Sequence, residues 1–220
     1  DNFDLVRGKY ICAANVHTTV SAHEDKNYRE IQNSSFMTLP DGKPLSVVGK
    51  KRGKSLMGRV TGPDFLEEVL KRTENTEMKH YFYGTTQENL NAFISVVKQT
   101  YPNLKIVGVE PSVFRTLTIQ EEEELLKRIN ESGADFVWVA LGAPRQEIFC
   151  NKLSWQTVWV AVGGALNVIS GVIPRAPRWM QDHGLEWFYR FIKEPKRLFK
   201  RYFITNSKFL WYLFRDKGAK

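Results

Sequence analysis

A lone aspartate, Asp41, follows a short predicted strand and has the chemistry of a general base. The segment SFMTLP, residues 35–40, is typical of a strand, and Asp41-Gly42 come directly after it. A carboxylate at a strand end can reach across the sheet edge and accept a proton from a substrate hydroxyl. Because Asp-Gly pairs are also common in ordinary turns, spacing alone leaves both interpretations open.

Glycine-rich segments after two later apolar strands have features of a ligand-binding edge. GAPRQE, residues 142–147, places Pro144 at an early helical position, where free backbone N–H groups attract anions, and Gln146 adds donors. The paired glycines of VGGALNVISG, residues 162–171, let a ligand or a neighbouring strand approach the backbone closely. An ordinary strand-to-helix turn explains the first segment equally well. The second lacks the G-x-G-x-x-G fingerprint of dinucleotide-binding enzymes.

Arg59 stands just ahead of a predicted helix, where a guanidinium can pair with a phosphate. A solvent-exposed loop arginine is an equally good interpretation. The four histidines show no zinc-like spacing with each other or with cysteine, and no D-x-D pair occurs. We therefore expect a mechanism without a metal ion, and no cofactor.

The elements that would position these residues alternate between β-rich runs and amphipathic helices. DFVWVALG (135–142) and TVWVAVGG (157–164) are nearly unbroken apolar strands, which is typical of a parallel sheet covered on both faces. We expect an α/β fold with a modified Rossmann-like, mostly parallel sheet and helices on both faces, in a catalytic domain of residues 1–174. Ligands of such sheets bind at the carboxyl ends of the strands. The candidate binding residues at those ends are Asn15, Thr19, Gly84, Gly142, Gln146, Gly163 and Gly164.

Periodicity and end signals also give the approximate bounds of the other elements. Pro63 marks the start of a predicted helix at 62–73, and Thr118 is the predicted cap of a helix at 118–133. Further strands are predicted at 9–16, 79–84 and 104–109, and further helices at about 20–34 and 86–102.

The last part of the chain differs in composition from the rest. Residues 1–174 hold 20 Lys+Arg and 20 Asp+Glu, whereas residues 175–220 hold 12 and 4, so the whole net charge of +8 lies there. Apolar and basic side chains recur on opposite sides at helical spacing, and Pro195 divides the segment into two short helices. Basic amphipathic helices can lie in a membrane interface. The alternative is that they dock on the sheet and complete the core.

Cys12 and Cys150 each stand among apolar residues, so we expect buried thiols rather than a disulfide. The sequence shows no signal peptide and no apolar run near the roughly 18 residues that span a bilayer. These features favour a cytoplasmic location, with the tail peripheral on the inner face of the cell membrane.

Several motifs resemble those of one family of bacterial enzymes. DFVWVALGAPRQE (135–147) and the block from Gly163 to Tyr202 are highly specific, and AAN, LPDG and RVTGPD support them. The matches span nearly the whole chain, which resembles the WecG/TagA/CpsF family, family twenty-six of the glycosyltransferases. The resemblance implies a C-terminal, membrane-associating helical appendage, residues 175–220.

The resemblance also implies an inverting, metal-independent transfer. The donor would be a UDP-sugar carrying N-acetylmannosamine or a related hexose. The acceptor would be a polyprenyl-diphosphate-linked N-acetylglucosamine in cell-surface polysaccharide or teichoic-acid synthesis. The implied partners are these two substrates and an anionic membrane surface, with no nucleic acid, and a homo-oligomer stays open.

The family's functional residues match individual positions of this chain. The proposed base matches Asp41. Residues implied to bind substrate match Asn15, Arg59 and Gln146, and appendage arginines implied to hold the diphosphate match Arg190, Arg197 and Arg201.

Two other functions fit parts of the sequence. A nucleic-acid-binding protein could use the basic aromatic tail, but the strand-end motifs would then have no purpose. A Rossmann-type nucleotide-dependent oxidoreductase would fit the fold, but the glycine fingerprint is missing. The glycosyltransferase is the favoured interpretation.

Overall fold

The computed structural model describes residues 3–154 and 156–215, except for the side chain of Arg197, and these residues contain a six-stranded sheet. The strands are β1 (Tyr10–Ala14), β2 (Met37–Pro40), β3 (Lys79–Gly84), β4 (Lys105–Glu110), β5 (Phe136–Ala140) and β6 (Val158–Ala161). They pair in the order β2-β1-β6-β5-β3-β4, and every pairing is parallel. The predicted α/β class is therefore confirmed, and the carboxyl ends of the strands share one edge.

Helices connect the strands and continue beyond the last one. They are α1 (Val16–Glu24), α2 (Lys26–Ser34), α3 (Lys43–Lys51), α4 (Gly62–Thr73), α5 (Gln87–Thr100), α6 (Ile119–Ser132), α7 (Arg145–Leu153), α8 (Ala165–Ile169), α9 (Arg178–Asp182), α10 (Glu186–Lys193) and α11 (Pro195–Arg215), with a short 3-10 helix at Phe3–Leu5. Helix α4 has the predicted bounds. The single helix predicted at 20–34 is divided, because extended Asp25 ends α1 and its carboxylate accepts a hydrogen bond from Tyr28 N.

The side chains of β5 show why the sheet is covered on both faces. Val137 and Val139 point into one core with Leu125 of α6 and Cys150 of α7. Trp138, between them, points into the opposite core, which includes residues of α4, α5 and α8. Successive side chains along a strand point to opposite faces of the sheet, so β5 contributes to both cores. Both cysteines are buried free thiols, as predicted.

The C-terminal helices pack against the sheet domain through α1. The break at Glu194-Pro195 separates α10 from α11, as the sequence predicts, but α11 is a single helix of 21 residues rather than a short one. Glu24 at the end of α1 accepts hydrogen bonds from Lys208 Nζ at 2.6 Å and Tyr212 Oη at 2.8 Å. Within the described residues, no helix is both long and apolar enough to cross a bilayer. The predicted division at residue 174 stays a prediction.

Candidate active site

Asp41 lies at the carboxyl edge of the sheet beside the end of β1. Its backbone N donates to Ala14 O at 2.7 Å, which continues the pairing of β2 with β1 by one residue. Asn15, the next residue along from Ala14, caps α1 by accepting from Thr18 N at 3.2 Å. The Asn15 side chain also hydrogen-bonds to Asp41. Because Gly42 has a φ of +110°, a backbone conformation that favours glycine, the chain turns sharply here into α3.

Arg59 is held close to the same edge by backbone pairing. Val60 N donates to Pro40 O at 3.1 Å, which places Arg59 next to the end of β2. The Arg59 side chain is 15% exposed, and its guanidinium contacts two carboxylates, Glu186 Oε2 at 3.2 Å and Asp64 Oδ2 at 3.6 Å. Its orientation is therefore fixed from two sides.

Glu186 joins the sheet domain to the C-terminal helices. It opens α10, and its second carboxylate oxygen lies 3.2 Å from Arg190 Nη2, one helical turn further on. Since Glu186 also contacts Arg59, one carboxylate aligns two arginines from opposite sides of the site. This makes α10 part of the site.

The environment of Asp41 changes its acidity. Burial raises the pKa of Asp41 to about 6, and the negative charge of Glu186 acts in the same direction. The positive charges of Arg190 and Arg59 and the Asn15 hydrogen bond partly offset the rise in this pKa. A carboxylate with such a pKa is a stronger base than an exposed aspartate, yet it is still mostly ionised at neutral pH.

His17, in the first turn of α1, is a second titratable group near Asp41. Burial, followed by the positive charge of Arg201, lowers the pKa of His17, so its imidazole is neutral at pH 7. Its Nδ1 is buried and finds no hydrogen-bond partner among the described residues. The same holds for Oε1 of the buried Gln181, on α9. Gln181 Oε1 can accept a hydrogen bond from a polar ligand, and His17 Nδ1 can accept or donate one according to its tautomer.

These side chains surround one cavity of about 340 Å³, a size found for small-molecule sites. It is closed by α1 and the start of α3 on one side and by α9, α10 and α11 on the other. Of the predicted site residues, it brings together Asn15, Asp41, Arg59, Arg190 and Arg201. The side chain of Arg197 lies outside the described residues, so its predicted role is untested.

The remaining predicted residues are not among the described residues that line this cavity. Thr19 lies in the second turn of α1, and the others follow β3, β5 and β6: Gly84, Gly142, Gln146, Gly163 and Gly164. At Gly84 a Cβ would lie 2.5 Å from Ala140 O, so close packing with β5 accounts for this glycine. A role for these residues in binding substrate stays a prediction.

Gln146 occupies the backbone donors that the sequence suggested for a ligand. Its Oε1 accepts from Gly142 N at 3.1 Å and from Gly163 N at 2.9 Å, and the side chain is buried. Its Nε2 donates to the buried Glu147 at 2.9 Å. Burial raises the pKa of Glu147. In this arrangement Gln146 braces the turns after β5 and β6 against each other.

Comparison with known proteins decides the family. The model of the glycosyl transferase WecG/TagA/CpsF family matches residues 3–220. The chain belongs to this family.

Two curated relatives align with this chain over most of their length. Both are named N-acetylglucosaminyldiphosphoundecaprenol N-acetyl-beta-D-mannosaminyltransferase. The protein of Bacillus subtilis (strain 168) is 31% identical over 216 residues, which cover 97% of this chain and 82% of the relative. The protein of Bacillus spizizenii (strain ATCC 23059 / NRRL B-14472 / W23) is 32% identical over 197 residues, which cover 88% and 75%.

The chain is thus a glycosyltransferase of the WecG/TagA/CpsF family, which supports neither alternative drawn from the sequence. A glycosyl transfer needs a base for the attacking hydroxyl and positive charge for the leaving group. The cavity contains both kinds of group, the carboxylate of Asp41 and the guanidinium groups of Arg59, Arg190 and Arg201.

Three of the cavity residues that sequence reasoning missed bear directly on its electrostatics and hydrogen bonding: Glu186, His17 and Gln181. Glu186 had a local signal, since Glu186 and Arg190 stand four residues apart on a predicted helix. His17 had one too, since it lies two residues after Asn15, within the segment 15–19 that follows the first strand at the carboxyl edge of the sheet. Gln181 had no signal, because its burial depends on how α9 docks.

Proposed function

We propose that this protein transfers an N-acetylmannosaminyl group, or that of a related hexose, from a UDP-sugar to a polyprenyl-diphosphate-linked N-acetylglucosamine. The names of both relatives support the transferred group and the acceptor. The observation that carries the proposal is the position of Asp41, a carboxylate of raised pKa in a cavity with three arginines.

In the proposed reaction Asp41 takes the proton of an acceptor hydroxyl as that oxygen attacks the anomeric carbon. The bond from the anomeric carbon to the UDP oxygen breaks on the opposite side, so the configuration inverts. The electron pair of that bond leaves with UDP, whose diphosphate gains a negative charge. The Asn15 amide, hydrogen-bonded to Asp41, keeps the carboxylate oriented toward the incoming hydroxyl.

Arginine side chains supply the charge that this leaving group needs, and we propose that no metal ion takes part. Arg59 and Arg190 are already aligned by Glu186, so little reorganisation is required when UDP forms. A guanidinium offers planar, paired N–H groups that fit phosphate oxygens. Full turnover in excess chelator would support this part of the proposal, and loss of turnover restored by a divalent ion would refute it.

The C-terminal helices would hold the enzyme on the inner face of the cell membrane. Several apolar side chains of α10 and α11 are exposed: Trp187, Phe188, Ile192, Phe199, Phe203, Ile204, Leu210, Trp211 and Phe214. Basic residues stand between them, and each contributes roughly 1 kcal/mol near an anionic lipid surface. Sedimentation with anionic but not with zwitterionic vesicles is the expected result.

The proposed reaction is tested by identifying its product. The protein is incubated with a panel of UDP-sugars and a short-chain prenyl-diphosphate-linked N-acetylglucosamine, and the products are resolved by mass. An added N-acetylhexosamine, with release of UDP, is expected. Consumption of the UDP-sugars with no transfer of a sugar to this acceptor would contradict the proposal.

A further inference from the structure

The face of α11 that lines the cavity changes in polarity along the helix. Its lining residues are Arg201, Tyr202, Thr205, Asn206, Phe209 and Leu210. They recur at intervals of one, three and four residues and therefore form a single stripe. Over the nine residue-to-residue steps from Arg201 to Leu210 the helix rises about 14 Å. The stripe is cationic at its start, carries hydroxyl and amide groups in its middle, and is purely apolar at its end.

The cationic end of the stripe belongs to the reaction centre. Arg201 faces His17, whose pKa it helps to lower, and both line the cavity that contains Asp41. His17 Nδ1 and Gln181 Oε1, which belong to residues lining the same cavity, are buried without partners among the described residues. Polar groups of a ligand would satisfy them.

The apolar end reaches the surface of the molecule. Phe209 is buried at 8% exposure, whereas its neighbour Leu210 is 65% exposed. Trp187, which lines the same cavity from α10, is also exposed, and its ring packs on Tyr202 nearer the cationic end, with centroids 6.2 Å apart. The cavity is therefore continuous with the exposed apolar surface of α10 and α11.

We propose that this end of the cavity, formed by Phe209 and Leu210, is the subsite for the first isoprene units of the acceptor's polyprenyl chain. This inference rests on the proposed function. The acceptor carries a sugar, a diphosphate and an alkyl chain in that order. In the proposed reaction the sugar lies at Asp41, Arg201 at the start of the stripe offers positive charge to the diphosphate, and the apolar end of the stripe follows in the same cavity, beyond Thr205 and Asn206. A nucleotide-sugar donor has no apolar chain to occupy the last part.

The subsite is held in place before any ligand arrives. Lys208 and Tyr212 lie on either side of Leu210 in sequence, and both hydrogen-bond to Glu24 of α1. The Tyr212 ring also contacts the His23 ring, with centroids 3.9 Å apart. These contacts fix the last turns of α11 against α1, so binding of the polyprenyl chain requires little ordering of the protein.

The test compares two soluble acceptors that share the N-acetylglucosaminyl diphosphate and differ in the ester group, geranyl or methyl. The variant is Leu210→Gln. The matched control is Leu5→Gln, the same substitution at a leucine that is 64% exposed and lies far from this end of the chain in sequence. The readout is the ratio of kcat/KM for the geranyl acceptor to kcat/KM for the methyl acceptor, measured without membranes.

Leu210→Gln is expected to lower this ratio about fivefold to tenfold, because part of the apolar contact with the chain is lost. Leu5→Gln should leave the ratio at its wild-type value. An unchanged ratio in Leu210→Gln, or a wild-type ratio near one, overturns the subsite while the transferase function stands. If the wild-type protein uses neither acceptor with any UDP-sugar, the proposed function fails and the subsite with it.

A bilayer lipid is the alternative occupant of the apolar end. A short-chain phosphatidylglycerol, added below its micellar concentration, should therefore compete poorly with the geranyl acceptor. Competition as strong as that of geranyl diphosphate would assign the end to membrane lipid and overturn the proposal.

Discussion

Two parts of the same sheet edge are built in opposite ways. At the ends of β1 and β2, Asp41 and Arg59 face a cavity, and nearby polar atoms lack partners among the described residues. At the ends of β5 and β6, the Gly142 and Gly163 N–H groups are already bonded to Gln146. Polar groups that fold without full partners retain capacity for a ligand, whereas satisfied ones mainly hold the structure. On the proposed function, the first part carries the chemistry, and the second holds the turns after β5 and β6 together.

The largest expected effect is on turnover when the base is removed. Asp41→Asn keeps the size of the side chain but cannot accept the hydroxyl proton, so kcat should fall by about 10²–10⁴. Asp182→Asn is the matched control, because Asp182 lies on α9 and forms an exposed ion pair with Arg178. Its kcat should match the wild type. Near-normal turnover in Asp41→Asn would reject Asp41 as the base.

Substitution of Gln146 should act mainly on stability. Gln146→Met leaves Gly142 N, Gly163 N and the buried Glu147 without a bonding partner in the brace, so the free energy of unfolding should fall by about 2–4 kcal/mol. Denaturant unfolding measures this change. Gln120→Met, at an exposed position of α6, serves as control and should alter stability little. If Gln146→Met were as stable as the wild type but had lost donor binding, the ends of β5 and β6 would have a role in binding rather than in structure, contrary to this comparison.

The substitution Asp41→Asn should raise stability, whereas Gln146→Met should lower it. The folded-state pKa of Asp41 is about 6, above its ordinary value of 3.8, so the folded protein holds this proton more tightly than the unfolded chain. Stability from this group is full below pH 4 and is lost as pH rises from 4 to 6. Asp41→Asn should therefore raise the free energy of unfolding at pH 7 by roughly 1–3 kcal/mol. At pH 4 the two proteins should be nearly equal, and a lower stability of the variant at pH 7 would contradict the burial argument.

The contrast between the two parts also separates what the sequence could predict from what it could not. Apolar runs such as 135–142 determine strands through their own composition, so the sheet followed from local pattern. The proximity of Asn15 and Asp41 followed as well, because parallel strands end at one edge. The Arg59–Glu186 contact joins residues 127 positions apart and depends on how α10 docks, which no local pattern records.

Local pattern also gave incomplete predictions where side chains compete with the backbone. Asp25 divides a predicted helix because its carboxylate caps the next one. Helix α3 was not predicted, since β-branched residues and Gly49 weaken its helical signal. For Gln146 the residue type was noticed, but its bond to Gly163 N, 17 residues away, depends on tertiary structure.

The smallest expected effect is a shift of the pH dependence, and it tests whether α10 belongs to the reacting part of the edge. Since Asp41 must be ionised to act, kcat/KM should fall about tenfold per pH unit below pH 6. Glu186→Gln removes a negative charge that raises the pKa of Asp41 and releases Arg59 and Arg190 from their shared partner. Both changes favour the ionised carboxylate, so the midpoint should move to lower pH by a fraction of a unit. Glu30→Gln on α2 removes the same charge from an exposed pair with Lys26 and should leave the midpoint in place. A midpoint that moved equally in both variants would reflect net charge alone, and α10 would then have no electrostatic part in the activity of Asp41.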